Sequence, residues 1–482
     1  MKAFLKYLLL VGGPAAGVFA IVHAGQGLRA PQGVAATVAT KGGASLMPDL
    51  LLLLVQIGVI LVAARVVGLL FRFIRQPQVV GEMVAGILLG PSLLGWVAPE
   101  LSARLFPAAS LGFLNSISQV GLLIFMFLVG VELDPRLLRG KSHTALVTSH
   151  ASIVAPFFLG ALVSLFLYPR LSHDGVTFTG FALFMGAAMS VTAFPVLARI
   201  LRERNLLKTR VGTVAIACAA VDDVTAWCIL AGVVAVVRSG SGATSLWLTL
   251  GGSAAFVAVM VVGVRPVLAR AEGAFHRSGR LTQDLLGVIL LLGLASAWVT
   301  EYVGIHALFG AFLAGAIMPK GERFVHALTE KLEDLTVVLL LPLFFAFTGL
   351  RTAFGLVSGA GMWGYAALII LVAVAGKWGG STLAARFTGM TWREAGAVGV
   401  LMNTRGLMEL VILNIGLDIG VISPALFAMM VLMALVTTFM TSPLLEWIYP
   451  ARMIRGDARV PADRTETQRG TERTAKGFSS AL

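Results

Sequence analysis

The chain has 482 residues, 57% of them hydrophobic and only 13% charged, with a mean hydropathy of +0.90. Soluble domains carry about 25% charged residues, so this composition belongs to a membrane protein. The net charge of +13 does not indicate nucleic acid, because the basic residues sit in short loops between apolar runs rather than in one patch.

In chain order, residues 1–48 begin with Lys2 and Lys6 around an apolar stretch, 5–23, that reads equally as an extra helix or as a secretory signal ending near Ala24. The rest of 1–48 is expected to be an extracytoplasmic linker. Runs long enough to cross a hydrocarbon core of about 30 Å follow, at 49–71, 79–97, 111–131, 144–168, 177–201, 211–237, 246–268, 281–300, 304–318, 330–350, 360–385, 391–417 and 421–446. They predict an all-α polytopic bundle of thirteen core helices over 49–449, plus the possible N-terminal one. Open sheets cannot satisfy their backbone in lipid, and a barrel would show short alternating segments instead. Cys218 and Cys228 fall ten residues apart in one predicted helix, too far for a disulfide. Residues 450–482 form a polar tail, expected to be disordered and too short for a nucleotide-binding regulatory domain.

Lys and Arg alternate between sides. One side takes Arg72, Arg75, Arg136, Arg139, Lys141, Arg199, Arg202, Arg204, Lys208, Arg210 and the tail, whereas the other keeps only Arg29, Lys41, Arg104, Arg170, Arg238 and Arg351. The positive-inside rule makes the first side cytoplasmic, with the C-terminus on it.

Internal symmetry is weak but visible. LLIFMFLVGVEL (122–133) is similar to LPLFFAFTGLRT (341–352), and AAMSVTAFP (187–195) is faintly similar to VLMNTRGLM (400–408). Five helices over 79–237 enter from one side and five over 304–446 from the other, the inverted-repeat plan of secondary transporters.

Few ionisable residues lie deep in the predicted helices. Asp222 and Asp223 are central to theirs, Lys377 lies past the middle of 360–385, and Arg405 is central to 391–417 with Glu409 one turn on. Each central charge costs about 2.5–3.5 kcal/mol to insert. A buried ion pair such as Asp222 with Lys377 would account for one carboxylate and leave the second unexplained. Adjacent helical residues point about 100° apart, so one carboxylate can pair with a base while the other faces a wet cavity. There it can hold a proton or a metal cation, but not both well.

Backbone breaks would supply further oxygens. Pro195 in SVTAFPVLARIL is expected to kink its helix and free a carbonyl near the hydroxyls of Ser190 and Thr192. Asn403, Thr404, Arg405 and Gly406 interrupt the matching helix of the second repeat. Carboxylate, hydroxyl and carbonyl oxygens suit a hard monovalent cation, with sodium, potassium and lithium all open.

The motifs QPQVVGEMVAGILLGPSLLG, FLVGVELDP, SVTAFPVLARIL, DDVTAW, GIHALFGAFLAGAIMPKG and NTRGLMELVILNIG occur in that order. Over about 76–446 the chain resembles the second family of monovalent cation:proton antiporters. The resemblance implies a sodium/proton-antiporter-like fold with two interrupted crossover helices. Core helices 144–237 and 360–446 would move against a scaffold that also forms a homodimer. It implies a transporter rather than an enzyme, in the cytoplasmic membrane, with Na⁺ or K⁺, protons and lipid as partners and no cofactor. Asp223 would bind the cation or proton, Asp222 would pair with Lys377, and Ser190 and Thr192 would line the site. Arg405, with Glu409, Asn403 and Thr404, would stabilise carbonyl ends of the broken second crossover helix. Two acids and a lysine resemble the electrogenic kind, two protons per cation. Glu82, Glu132, Asp134 and His306 match motif positions but lie near helix ends, where capping or snorkelling suffices. Gly376, Gly379 and Gly380 would permit close helix contact. A cation channel or uniporter without proton coupling is the alternative on the same fold.

Overall fold

The computed structural model describes residues 8–31, 50–74, 76–132, 143–204, 206, 209–238, 243–278 and 280–450. Asp134 and the tail beyond 450 lie outside them. In chain order the helices are α1 (Gly13–Gly25), α2 (Leu50–Phe73), α3 (Gln78–Leu89), α4 (Ala108–Glu132), α5 (His143–Leu171), α6 (Phe178–Ser190), α7 (Phe194–Glu203) and α8 (Arg210–Arg238). They continue as α9 (Ala243–Ala258), α10 (Arg265–Ser278), α11 (Gln283–Val303), α12 (Ala307–Ala316), α13 (Glu322–Leu335) and α14 (Leu341–Leu350). The last are α15 (Gly359–Val374), α16 (Gly380–Phe387), α17 (Trp392–Met402), α18 (Leu407–Asp418) and α19 (Pro424–Ile448). One π-helical turn, Ala375–Gly379, joins α15 to α16 and carries Lys377.

Side-chain caps fix where several of these helices start. Thr177, Thr282, Thr391 and Ser423 precede α6, α11, α17 and α19, and each hydroxyl oxygen accepts from the backbone amide three residues on. Outward-facing apolar rows, such as Leu54, Val62 and Leu69 on α2 or Val288, Leu291 and Leu294 on α11, are exposed as a lipid-facing surface requires.

Among the described residues, ten helical stretches are long and apolar enough to cross a membrane, or eleven if the bent pair α17 and α18 counts as one. By length and composition the expected count of thirteen is not confirmed, for two physical reasons. The run 177–201 is cut into α6 and α7, of 13 and 10 residues. The run 304–318 is trimmed to ten residues by left-handed Gly304 and the His306 cap, and ten residues span only about 15 Å. The N-terminal apolar stretch is helical over Gly13–Gly25, with Gly17 against Phe158 of α5 and Gly25 against Phe178 of α6.

α3 and α14 cross backbone to backbone. A Cβ on Gly86 would strike Phe345 and Ala346, and one on Gly349 would strike Gly86. α5, α6, α8, α15, α16, α17 and α19 pack around a second centre that contains both broken segments. Ion pairs tie elements at their ends: Arg238 to Glu301 (3.0 Å), Arg351 to Asp418 (2.7 Å) and Arg204 to Glu446 (3.4 Å).

Candidate functional site

α6 and α7 are separated by extended backbone at Val191–Ala193. Pro195 does not kink a continuous helix, as the sequence suggests; it occupies the first turn of α7, where a missing amide costs nothing. The unpaired carbonyls belong instead to the end of α6, because the last four C=O groups of any helix lack intrahelical partners. The second break follows Met402, with Asn403 capping α17 and α18 starting at Leu407. The two breaks touch: the Ala193 amide donates to the Thr404 carbonyl at 3.0 Å.

Two fully buried cations close the end of α6. Arg405 donates from Nη1 to the Ala188 carbonyl (2.9 Å) and from Nη2 to that of Met189 (2.7 Å), and Nη1 also pairs with Glu409 Oε2 (2.7 Å). The expected role of Arg405 on its own helix is thus corrected, since its guanidinium serves the first broken helix. Lys377 Nζ donates to the Ser190 carbonyl, to the Ser152 carbonyl (2.9 Å) and to Asp222 Oδ2 (3.1 Å). Positive charge at a helix C-terminus is favourable, and three acceptors match the three ammonium protons.

The approach of Lys377 to α5 depends on Gly376, whose added Cβ would meet the backbone of Pro156, and on Gly380, which packs on Ala155. Gly379, expected to serve the same purpose, has nothing near it.

The adjacent aspartates sit in unlike surroundings. Asp222 is fully buried and surrounded by donors. Ser149 Oγ donates to Oδ1 (2.7 Å), while Ser152 Oγ (2.7 Å), Thr192 Oγ1 (3.0 Å) and Lys377 stand at Oδ2. Asp223 is 4% exposed, and its Oδ1 has no hydrogen-bond partner. Its carboxylate lies against the Phe194 amide at the start of α7, where the helix dipole favours negative charge.

The expected ligands divide accordingly. Thr192 reaches Asp222 and the Met402 carbonyl (3.2 Å). The Ser190 hydroxyl is turned away, donating to the Ile153 and Gly186 carbonyls, so this residue meets the site through its carbonyl and not through its hydroxyl. Asn403 Oδ1 and Thr404 Oγ1 are buried at the second break without partners.

Three contributors escape the sequence reading. Ser149 and Ser152 hold Asp222, and the Thr438 hydroxyl stands at both the amide (3.1 Å) and carbonyl (2.8 Å) of Arg405. The hydroxyl-rich string TSHAS at 148–152, inside an otherwise apolar run, is the signal that could have found the first two. Of the motif residues near helix ends, His306 caps α12 through Nδ1 (3.5 Å), and Glu82 accepts from Gln78 (3.1 Å). Glu132 lines a cavity of about 540 Å³ with Lys320, His326 and Glu330, away from the aspartates.

A chain with two touching broken helices and a buried acid pair can be compared with known proteins. The family model for the sodium/hydrogen exchanger, transmembrane, matches residues 59–447. The chain belongs to that family. It is 47% identical over 403 residues to the Na(+)/H(+) antiporter NhaS4 of Synechocystis sp., covering 83% of this chain and 98% of that one. It is 44% identical to Cation/H(+) antiporter 17 of Arabidopsis thaliana and 35% identical to K(+)/H(+) antiporter 1 of Saccharomyces cerevisiae, in each case over 83% of this chain. This exchanger-family chain spans about half the length of those two relatives, 48% and 47%. The structure of the sodium proton antiporter MjNhaP1 from Methanocaldococcus jannaschii matches with a TM-score of 0.60 at 14% identity, over 85% of this chain and all of that one. The fold is the same.

Proposed function

We propose that this protein exchanges a monovalent cation, Na⁺ or K⁺, for protons across the cytoplasmic membrane by alternating access, with Asp223 holding cation and proton in turn. One observation carries the reading: a buried carboxylate with an unpartnered oxygen stands next to a second carboxylate whose oxygens are fully engaged. An unpaired buried carboxylate is costly, and either a proton or an alkali cation relieves the cost. The two occupants compete for the same lone pairs, so binding one expels the other, and that competition couples the fluxes.

Asp222 and Lys377 form the fixed ion pair beside the carrier. Arg405 with Glu409 holds the two breaks in register, and Thr192, Asn403 and Thr404 contribute oxygens at the crossing. Among the described residues no three His, Cys, Asp or Glu side chains gather as a metal-holding group, so a cation at Asp223 completes its shell with hydroxyls, carbonyls and water. The segments 144–237 and 360–446 move as the core, and the remaining helices form the scaffold and a homodimer contact, with the C-terminus cytoplasmic. The names of the antiporter relatives support cation/proton exchange as the activity.

The test is dequenching of a pH dye in proteoliposomes, titrated with Na⁺, K⁺ and Li⁺ across a range of pH. Wild-type protein is expected to move protons when a cation is added, and Asp223→Asn to move none while folding normally. Normal exchange by Asp223→Asn, or cation flux without proton movement in the wild type, would refute the reading.

A further inference from the structure

Nothing in the sequence of the acid pair distinguishes one aspartate from its neighbour; two of the four donors that set Asp222 apart come from a single turn of α5. Ser149 and Ser152 lie three residues apart and therefore on one face of that helix. Ser149 Oγ donates to Asp222 Oδ1, and among the described residues no second acceptor stands at its hydroxyl. Ser152 Oγ stands 2.7 Å from Asp222 Oδ2 and 2.7 Å from the Ser149 carbonyl. The carbonyl of Ser152 receives the Lys377 ammonium at 2.9 Å. That carbonyl is available because its helical partner four residues on is Pro156, which has no amide proton. Ser152 thus holds the acid with its side chain and the base with its backbone.

We propose that Ser149, Ser152 and the Pro156-freed carbonyl are positioning residues that hold Asp222 and Lys377 on each other, leaving Asp223 to the transported ion. The proposal rests on the carrier role of Asp223. Hydrogen bonds to a charged group are stronger than those between neutral groups, and two of them decide which of two adjacent carboxylates a lysine serves. With both hydroxyls gone, Asp222 is no longer fixed to α5. Lys377 stays tied to the Ser152 and Ser190 carbonyls, and its charge is shared with Asp223. The ammonium then competes with the alkali cation there. Among the described residues, the charged side chains that act on Asp223 are Asp222 and Lys377.

The experiment is cation-driven proton movement by the reconstituted full chain, with KM and Vmax separated. Ser149→Ala/Ser152→Ala is expected to raise the KM for Na⁺ or K⁺ about five- to tenfold, with a smaller change in Vmax. Ser149→Thr/Ser152→Thr keeps both hydroxyls and is expected to return KM toward the wild-type value. Pro156→Ala restores an amide that reclaims the Ser152 carbonyl and is expected to raise KM in the same sense. Should the double variant fold poorly, Ser149→Ala alone removes the one uncontested donor and gives the same readout. A merely structural role would lower the amount of active protein and leave KM where it was; that result, or wild-type KM in the alanine variants, overturns the proposal. An inactive Asp223→Asn beside unshifted serine variants defeats the serine assignment only, whereas an active Asp223→Asn defeats the carrier reading beneath it.

Discussion

The two broken helices meet at one point but are held in opposite ways. The first, ending at Ser190, gives its last three carbonyls to two buried cations, Arg405 and Lys377. The second, ending at Met402, is satisfied by neutral donors alone: the Thr192 hydroxyl on the Met402 carbonyl, the Ala193 amide on Thr404 and the Thr438 hydroxyl at Arg405. Both cations that close the first break are carried by the second half of the chain. The halves are therefore locked to each other by charge in one direction and by neutral hydrogen bonds in the other.

This contrast predicts an order of sensitivities. Arg405→Ala is expected to cost the most, about 3–5 kcal/mol, because it strips two carbonyls and leaves Glu409 buried without its partner; thermal unfolding in detergent measures it, and a loss under about 1 kcal/mol would break the contrast. Lys377→Ala should cost less, about 2–4 kcal/mol, since Asp222 keeps Ser149, Ser152 and Thr192. It should also change the charge moved per cycle on solid-supported membranes, and an unchanged reversal potential would argue against an electrogenic cycle. At the second break, Thr438→Val removes the acceptor of the Arg405 amide and the donor to the Arg405 carbonyl and should cost about 1–3 kcal/mol. Thr192→Val is expected to be the mildest, about 1 kcal/mol, because Asp222 retains its other donors and only the Met402 carbonyl is left short. If the threonine variants prove as damaging as the charge deletions, the asymmetry does not exist.

Much of this centre was legible in the sequence. Apolar runs located most helices, though 330–350 starts eight residues earlier at Glu322 and 246–268 runs on to Ser278; the polar string at 403–405 marked the second break, and two acids in an apolar helix pointed to the buried centre. What stayed hidden was set by partners distant along the chain. Arg405 meets Ala188 across 217 positions and Ser149 meets Asp222 across 73, separations at which periodicity and spacing carry no information. Local pattern also could not tell a proline kink from a proline opening a new helix, because both put Pro195 in the same string; the extended residues before it decide the matter. The difference between thirteen apolar runs and the ten or eleven long helices has the same origin, since hydropathy registers the apolar run of 177–201 and is blind to the backbone break inside it.

Competition between cation and proton for Asp223 is the core of the proposed exchange, and proton release on cation binding measures it most directly. Purified wild-type protein in weakly buffered detergent solution should release protons as Na⁺ or K⁺ is titrated in, and Asp223→Asn should release none. Equal proton release from the two proteins would show that Asp223 is not where cation and proton compete.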